Sequence, residues 1–133
     1  MNRHTEIRNA ILDRLATVVD DNVSLFDGLP AVVDAGELPA LAVWLTDAQY
    51  TAELIDEDSW QAILHVAVFM KAENPDGELD AWMEEKIYPA LTETGQLSSL
   101  IDTMTPRGYD YQRDSEMATW AMAEITYLIT YTM

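Results

Sequence analysis

The sequence predicts an α+β domain: an antiparallel or mixed β-sheet with two or three helices packed on one face. Three observations predict it. Residues 5–19 carry apolar side chains at helical spacing, a second helical pattern opens at Asn74-Pro75-Asp76, and residues 59–70 and 119–132 alternate with the period of a strand. The chain has 133 residues, 49% of them hydrophobic. A domain of that size buries roughly two thirds of its unfolded surface, enough for a packed core. No repeat, low-complexity segment or linker divides it, so residues 1–133 read as one domain.

In the first helix Ile7, Ile11, Leu12, Leu15 and Val18 or Val19 fall on one stripe. Asp20-Asp21-Asn22 ends it. Asp27-Gly28-Leu29-Pro30 is turn chemistry between two short apolar strands, 23–26 and 31–33. Residues 40–45 follow Leu38-Pro39 and are too short and too rich in β-formers for a helix. The strand at 59–70 places Trp60, Ala62, Leu64, Val66, Val68 and Met70 on one face and Gln61, Ile63, His65, Ala67 and Phe69 on the other. Both faces are fairly apolar, as expected of a central strand covered by helices on one side and by something else, such as another subunit, on the other. Residues 47–58 join these two strands as a long hairpin, with Gln49-Tyr50-Thr51-Ala52-Glu53 extending the first and Asp56-Glu57-Asp58 at the tip. Leu79, Trp82, Met83 and Ile87 give the second helix an apolar face up to Tyr88-Pro89, and Leu97, Leu100, Ile101 and Met104 suggest a short third one, stopped by Thr105-Pro106-Arg107-Gly108. Tyr109-Asp110-Tyr111 then alternates into a strand. The last strand turns Ala121, Ala123, Ile125, Tyr127, Ile129 and Tyr131 one way and Glu124, Thr126, Thr130 and Thr132 the other.

Charge limits the partners. With 24 acidic against 7 basic residues, the formal charge is -17. No Lys or Arg lies between Arg14 and Lys71, a span that holds ten of the acids. Phosphate backbones are gripped by clustered Lys and Arg, so this chain is not expected to bind nucleic acid directly. The longest apolar stretch, residues 62–70, is about half of what a membrane span needs. A polar start, Met1-Asn2-Arg3-His4-Thr5-Glu6, lacks the apolar core of a secretory signal, which points to synthesis and retention in cytosol.

Catalytic chemistry finds little support. The absence of cysteine excludes thiolate nucleophiles and iron–sulfur ligation. Of two histidines, His4 lies near a terminus and His65 reads as a half-buried strand residue bonded to a neighbour. The five glycines are too scattered for a phosphate-cradling loop. Asp56-Glu57-Asp58 is the best candidate for loose divalent-cation binding, but it lacks the glycine and terminal glutamate of a calcium loop. Trp44, Trp60, Trp82 and Trp120 read as core or subunit packing rather than a ligand cage. Neither a catalytic residue nor a cofactor is expected.

Several segments carry a family resemblance: Phe26-Asp27-Gly28-Leu29-Pro30-Ala31-Val32; Leu38-Pro39-Ala40-Leu41-Ala42-Val43-Trp44-Leu45-Thr46; and Leu79-Asp80-Ala81-Trp82-Met83-Glu84 through Ile87-Tyr88-Pro89. Gly108-Tyr109-Asp110-Tyr111 and the ending Leu128-Ile129-Thr130-Tyr131-Thr132-Met133 add to them. In this order they resemble the lambda-type phage minor tail protein U family, the tail terminators. The resemblance implies a small α+β protein without enzymatic activity that forms a hexameric ring, caps the tail tube and offers a surface to the head. It implies three partners: other copies of itself, the major tail tube protein and a head–tail joining protein. The location it implies is the virion tail of a phage or prophage, assembled in the bacterial host cytoplasm.

A closed ring needs two different complementary surfaces on each protomer. The expected seam residues are the acidic tip Asp56, Glu57 and Asp58 and the scarce cations Lys71, Arg107 and Arg113, near predicted element ends. Mg²⁺ is a candidate promoter of ring assembly, by screening carboxylates. The charge alone also fits an acidic DNA-mimic inhibitor of a nucleic-acid enzyme, which oligomeric state would separate from a ring former.

Overall fold

A computed structural model describes residues 3–20, 22–28, 38–51, 58–71, 75–92, 99–113 and 120–132. In chain order they form α1 (Arg3–Ala16), β1 (Ser24–Asp27), β2 (Ala40–Tyr50), β3 (Ser59–Lys71), α2 (Pro75–Trp82), a π-helical turn (Met83–Ile87), α3 (Tyr88–Thr92), β4 (Thr103–Arg113) and β5 (Trp120–Thr132). The expected α+β class is what the chain adopts. Its five strands make one mixed sheet in the order β1-β2-β3-β5-β4. β1 pairs parallel with β2, and every other pairing is antiparallel.

The alternation read from the sequence sorts the sheet's faces. Leu64, Val66, Val68 and Met70 of β3 join Leu41 and Val43 of β2 and Ala121, Ala123, Ile125, Ile129 and Tyr131 of β5 in the main core. Helices cover this face. α1 lays Ile7, Ile11, Leu12 and Leu15 over β1 and β2, while α2 packs over β3 and β5. Tyr88 donates its backbone N–H to the Met83 carbonyl, five residues back, and Pro89 follows at once. Proline has no N–H to give and crowds the carbonyl four residues before it, so a widened turn at this place relieves that crowding. Met83 and Ile87, at the ends of the turn, remain fully buried.

The opposite face has a smaller apolar cluster of Ala40, Ala42, Ala67, Phe69 and Met122, with Phe26, Leu38, Trp44 and Trp120 at its margin. Phe69 and Trp120 meet edge to face, ring centroids 5.2 Å apart. Two bulges bend the sheet. One interrupts the β2–β3 register between Thr46 and Gln49, where Asp47 takes a positive φ of 55°. The other lies between Pro106 and Gly108 of β4.

Three expectations need correction. The short helix proposed from Leu97, Leu100, Ile101 and Met104 ends sooner than expected: Leu97 lies outside the described residues, Ser99 is in a 3₁₀ turn, Ile101 is buried in the core, and Met104 belongs to β4, which starts at Thr103. Pro106 and Gly108, read as a stop, are accommodated because β4 is an edge strand with a bulge there. The helical rod expected to end at Tyr88-Pro89 continues through Thr92, since proline is tolerated in a first turn. The first short strand pairs in parallel with β2, and the strand expected at 31–33 lies outside the described residues.

Leu64 is fully buried beneath the helices, whereas Tyr127 is 2% exposed with a hydroxyl that has no partner among the described residues. The two should respond oppositely to truncation. Leu64→Ala is expected to cost about 2–5 kcal/mol, and Tyr127→Phe to leave stability unchanged or raise it by about 1 kcal/mol by removing an unpaired polar group. Urea denaturation of both variants checks the contrast.

Candidate assembly surface

The residues picked out for a seam lie far apart in one protomer. Asp58 immediately precedes β3 and is exposed, whereas Lys71 closes the same strand, roughly 40 Å away at the usual strand rise. Arg113 ends β4, and its register partner Ala121 adjoins Trp120, the partner of Lys71, so these two cations share one end of the sheet. Arg107 occupies the β4 bulge and is exposed. Asp56 and Glu57 lie outside the described residues. Among the described residues no group of three or more His, Asp or Glu is placed to hold a metal ion.

A polar inset interrupts the second face of the sheet. Register places Trp44, His65 and Thr126 side by side, with Glu124 one step along β5. His65 Nδ1 lies 2.8 Å from Glu124 Oε1, and Nε2 lies 2.7 Å from Thr46 Oγ1. An ionised carboxylate only accepts, so Nδ1 carries the proton and Nε2 is left to the threonine hydroxyl. Trp44 stacks on the imidazole with ring planes 4° apart and centroids 4.9 Å apart. The group is only 16% and 12% exposed at His65 and Glu124. His65 is therefore the bonded strand histidine that the sequence suggested. Its bonds, to Thr46 of β2 and Glu124 of β5, tie the three central strands together.

A pocket of about 230 Å³ opens between α1 and the β2 bulge, lined by His4, Arg8, Leu45, Thr46, Asp47 and Ala48. Its main polar atoms are already engaged. His4 Nε2 lies 2.6 Å from the Tyr131 hydroxyl, and Arg8 Nε donates to Asp27 Oδ1 at 2.5 Å.

An exposed aromatic surface lies along β4 and the helical rod. Tyr88, Tyr109 and Tyr111 are 40%, 39% and 45% exposed. Tyr109 and Tyr111 alternate onto the helix-covered face and meet edge to face, 6.2 Å between centroids. Tyr111 donates its hydroxyl to Asp80 of α2. Burial, then the nearby carboxylates of Glu84 and Asp80, push the Tyr109 phenol above its ordinary range. The patch is thus aromatic and electronegative together.

A family model described as phage minor tail protein U matches residues 2–131. This chain belongs to that family. It is similar to the tail tube terminator protein of Escherichia phage N15, 53% identical over 98% of this chain and 99% of the relative. Its similarity to the tail tube terminator protein of Escherichia phage lambda is 51%, over the same shares. A chain from the solved virion of a native gene transfer agent (GTA) particle shares the fold, with TM-score 0.50, 12% identity and coverage of 95% of this chain and 94% of that one.

In this member of the minor tail protein U family, the aromatic edge went unread because Tyr109-Asp110-Tyr111 registers in sequence only as a strand. The signal was available. Pro106 and Gly108 in a strand mark an edge, and two tyrosines at alternate positions beyond them share one face of it.

The hydrogen bond to Asp80, followed by burial, raises the Tyr111 phenol from 10.0 to about 12. The protonated form is favoured in the folded state, so its contribution is fully present below the unfolded value near 10 and is lost as pH rises through 12. Tyr111→Phe should therefore be less stable than the parent by an amount that is constant up to pH ~10 and shrinks between ~10 and ~12. Denaturation of both proteins across pH 8 to 12, on the order of one titration range either side of the phenol's ordinary value, reads this difference directly.

Proposed function

We propose that this chain is a tail terminator: a hexameric ring that caps the tail tube of a phage or prophage, ends its polymerisation and presents a surface for head attachment. The observation that carries the reading is the full-length similarity to two proteins named tail tube terminators, at 53% and 51% identity. Its partners are other copies of itself, the major tail tube protein and a head–tail joining protein, and its place is the virion tail after assembly in the host cytoplasm. The role needs no catalytic step and no cofactor. It uses surfaces, and an acidic ring would also repel DNA phosphate from its bore.

Deleting the gene from its phage is expected to give tails that overrun their set length and fail to join heads. Joined tails of normal length in the deletion strain contradict the assignment.

Electrostatics set the conditions for assembly. Six protomers at -17 each bring 6 × -17 = -102 formal charges into one ring. Charges within about 10 Å still repel at ~0.1 M salt. Isolated protein at low salt should be largely monomeric, and raised ionic strength, or Mg²⁺ screening the carboxylates, should favour the hexamer. Sedimentation velocity across salt and Mg²⁺ series checks the sign; a hexamer that weakens as salt rises contradicts it.

A further inference from the structure

The two lateral edges of the sheet lie in register with one another. Following the pairings across all five strands, Leu25 of β1 lies in one row with Leu41, Val68, Ala123 and Tyr111 of β4. The next row on the same face runs from Asp27 through Val43, Val66 and Ile125 to Tyr109. Each row therefore ends on β4 in an exposed tyrosine. The first ends on β1 in Leu25, which is 41% exposed, and the second in Asp27, which Arg8 of α1 grips. Among the described residues, β1 and β4 are each paired on one side only.

A heterologous ring repeats one contact by rotation, bringing one side of a protomer to the opposite side of the next. Here those two sides differ in the required way. The β4 side offers aromatic faces beside Asp80 and Glu84, and it suits an arginine, which can stack on a tyrosine ring while bonding a carboxylate. Few cations are placed to answer it. Lys86 sits over the Trp82 ring of its own helical rod at 4.5 Å, Arg107 and Arg113 are on β4 itself, Lys71 ends β3, and Arg14 donates to the Ala90 carbonyl. Arg3 and Arg8 remain, both on α1, and Arg8 reaches β1 through Asp27. Arg8 is held by Asp27 and Thr5, yet these bonds use two of its five N–H donors.

We propose that the ring seam joins the β4 edge of one protomer to the β1 and α1 edge of the next, with Tyr111 packing on Leu25 and Tyr109 against the Arg8 guanidinium. This rests on the ring reading above and adds its location. The occupant of the patch is a second copy of this chain, and the match of Tyr, Asp80 and Glu84 on one side to Leu25 and Arg8 on the other is what selects it. Alternating placement also limits the repulsion of an acidic ring, because each seam sets one of the few cations against the acidic side of its neighbour.

The test is compensation within one chain. Leu25→Asp sets a carboxylate against the neighbour's acidic patch, and Tyr111→Arg sets a charge against the neighbour's apolar Leu25. Each single variant should weaken hexamer formation by about tenfold or more at the salt and Mg²⁺ where the parent assembles. The double variant, which sets the two new charges against each other in every seam, should recover it. Thermal melts establish that all three are folded. As a second measurement independent of charge, the chain has no cysteine, so a Leu25→Cys/Tyr111→Cys variant treated with a bis-maleimide should give a covalent ladder ending at six, while each single cysteine variant gives at most a pair. Single variants that assemble like the parent, a folded double variant that stays dissociated together with no ladder, or a Tyr111→Arg ring that forms but no longer caps tubes would overturn the seam; the last would assign the patch to the tube protein. A parent protein that forms no ring alone or on tubes would overturn the ring reading itself, and the seam with it.

Discussion

The unbroken antiparallel ladder between β3 and β5, thirteen residues on each strand, is the constraint on which the rest of the structure depends. Side chains alternate along it, so a slip of one residue in β3 would turn that strand's faces over relative to β5. The buried row of Leu64, Val66 and Val68 would then face away from the helices, and His65 would lose Glu124. Because β2 and β4 pair outward from these two strands, the same register also decides which residues stand level at the two outer strands of the described sheet. Core, polar inset and lateral surfaces thus follow from one pairing.

The sheet's two faces have different tasks. Beneath α1 and α2 the described core is built from aliphatic side chains and tyrosine rings. On the other face, alanines at 40, 42 and 67 keep the surface low, and the chain places Trp44, His65, Glu124 and Thr46 beside them. A histidine held from both nitrogens and stacked on tryptophan fixes the three central strands to each other without a covering helix. Burying such a group is costly unless all of its bonds are made. Here both ring nitrogens have partners, which makes the inset a device for register as much as for stability.

Much of this was legible in the sequence, and the failures have physical causes. The α1 stripe, the face assignment of β3 and β5 and the bonded state of His65 all come from periodicity, which burial enforces strongly. Met104 was misread because a spacing of three and four apolar residues over a short span fits a helical turn as well as the entry to an edge strand, and Pro106 argued for a stop. Parallel pairing of β1 with β2 was invisible, since local sequence carries no record of strand direction. The seam candidates drawn from charge alone, the 56–58 tip with Lys71, Arg107 and Arg113, differ from the proposed pairing of Tyr109 and Tyr111 with Leu25 and Arg8. Their relation exists only once the register of four strand pairs is known.

Electron cryomicroscopy of tail tubes capped by this protein tests the central claim most directly, that the chain closes a six-membered ring through the lateral edges of its sheet. The account predicts six-fold density at the tube end with β4 of each subunit beside β1 and α1 of the next, and with Tyr111 at the contact. A cap of different symmetry, or a six-fold ring whose seams leave the β4 edge in solvent, would contradict it.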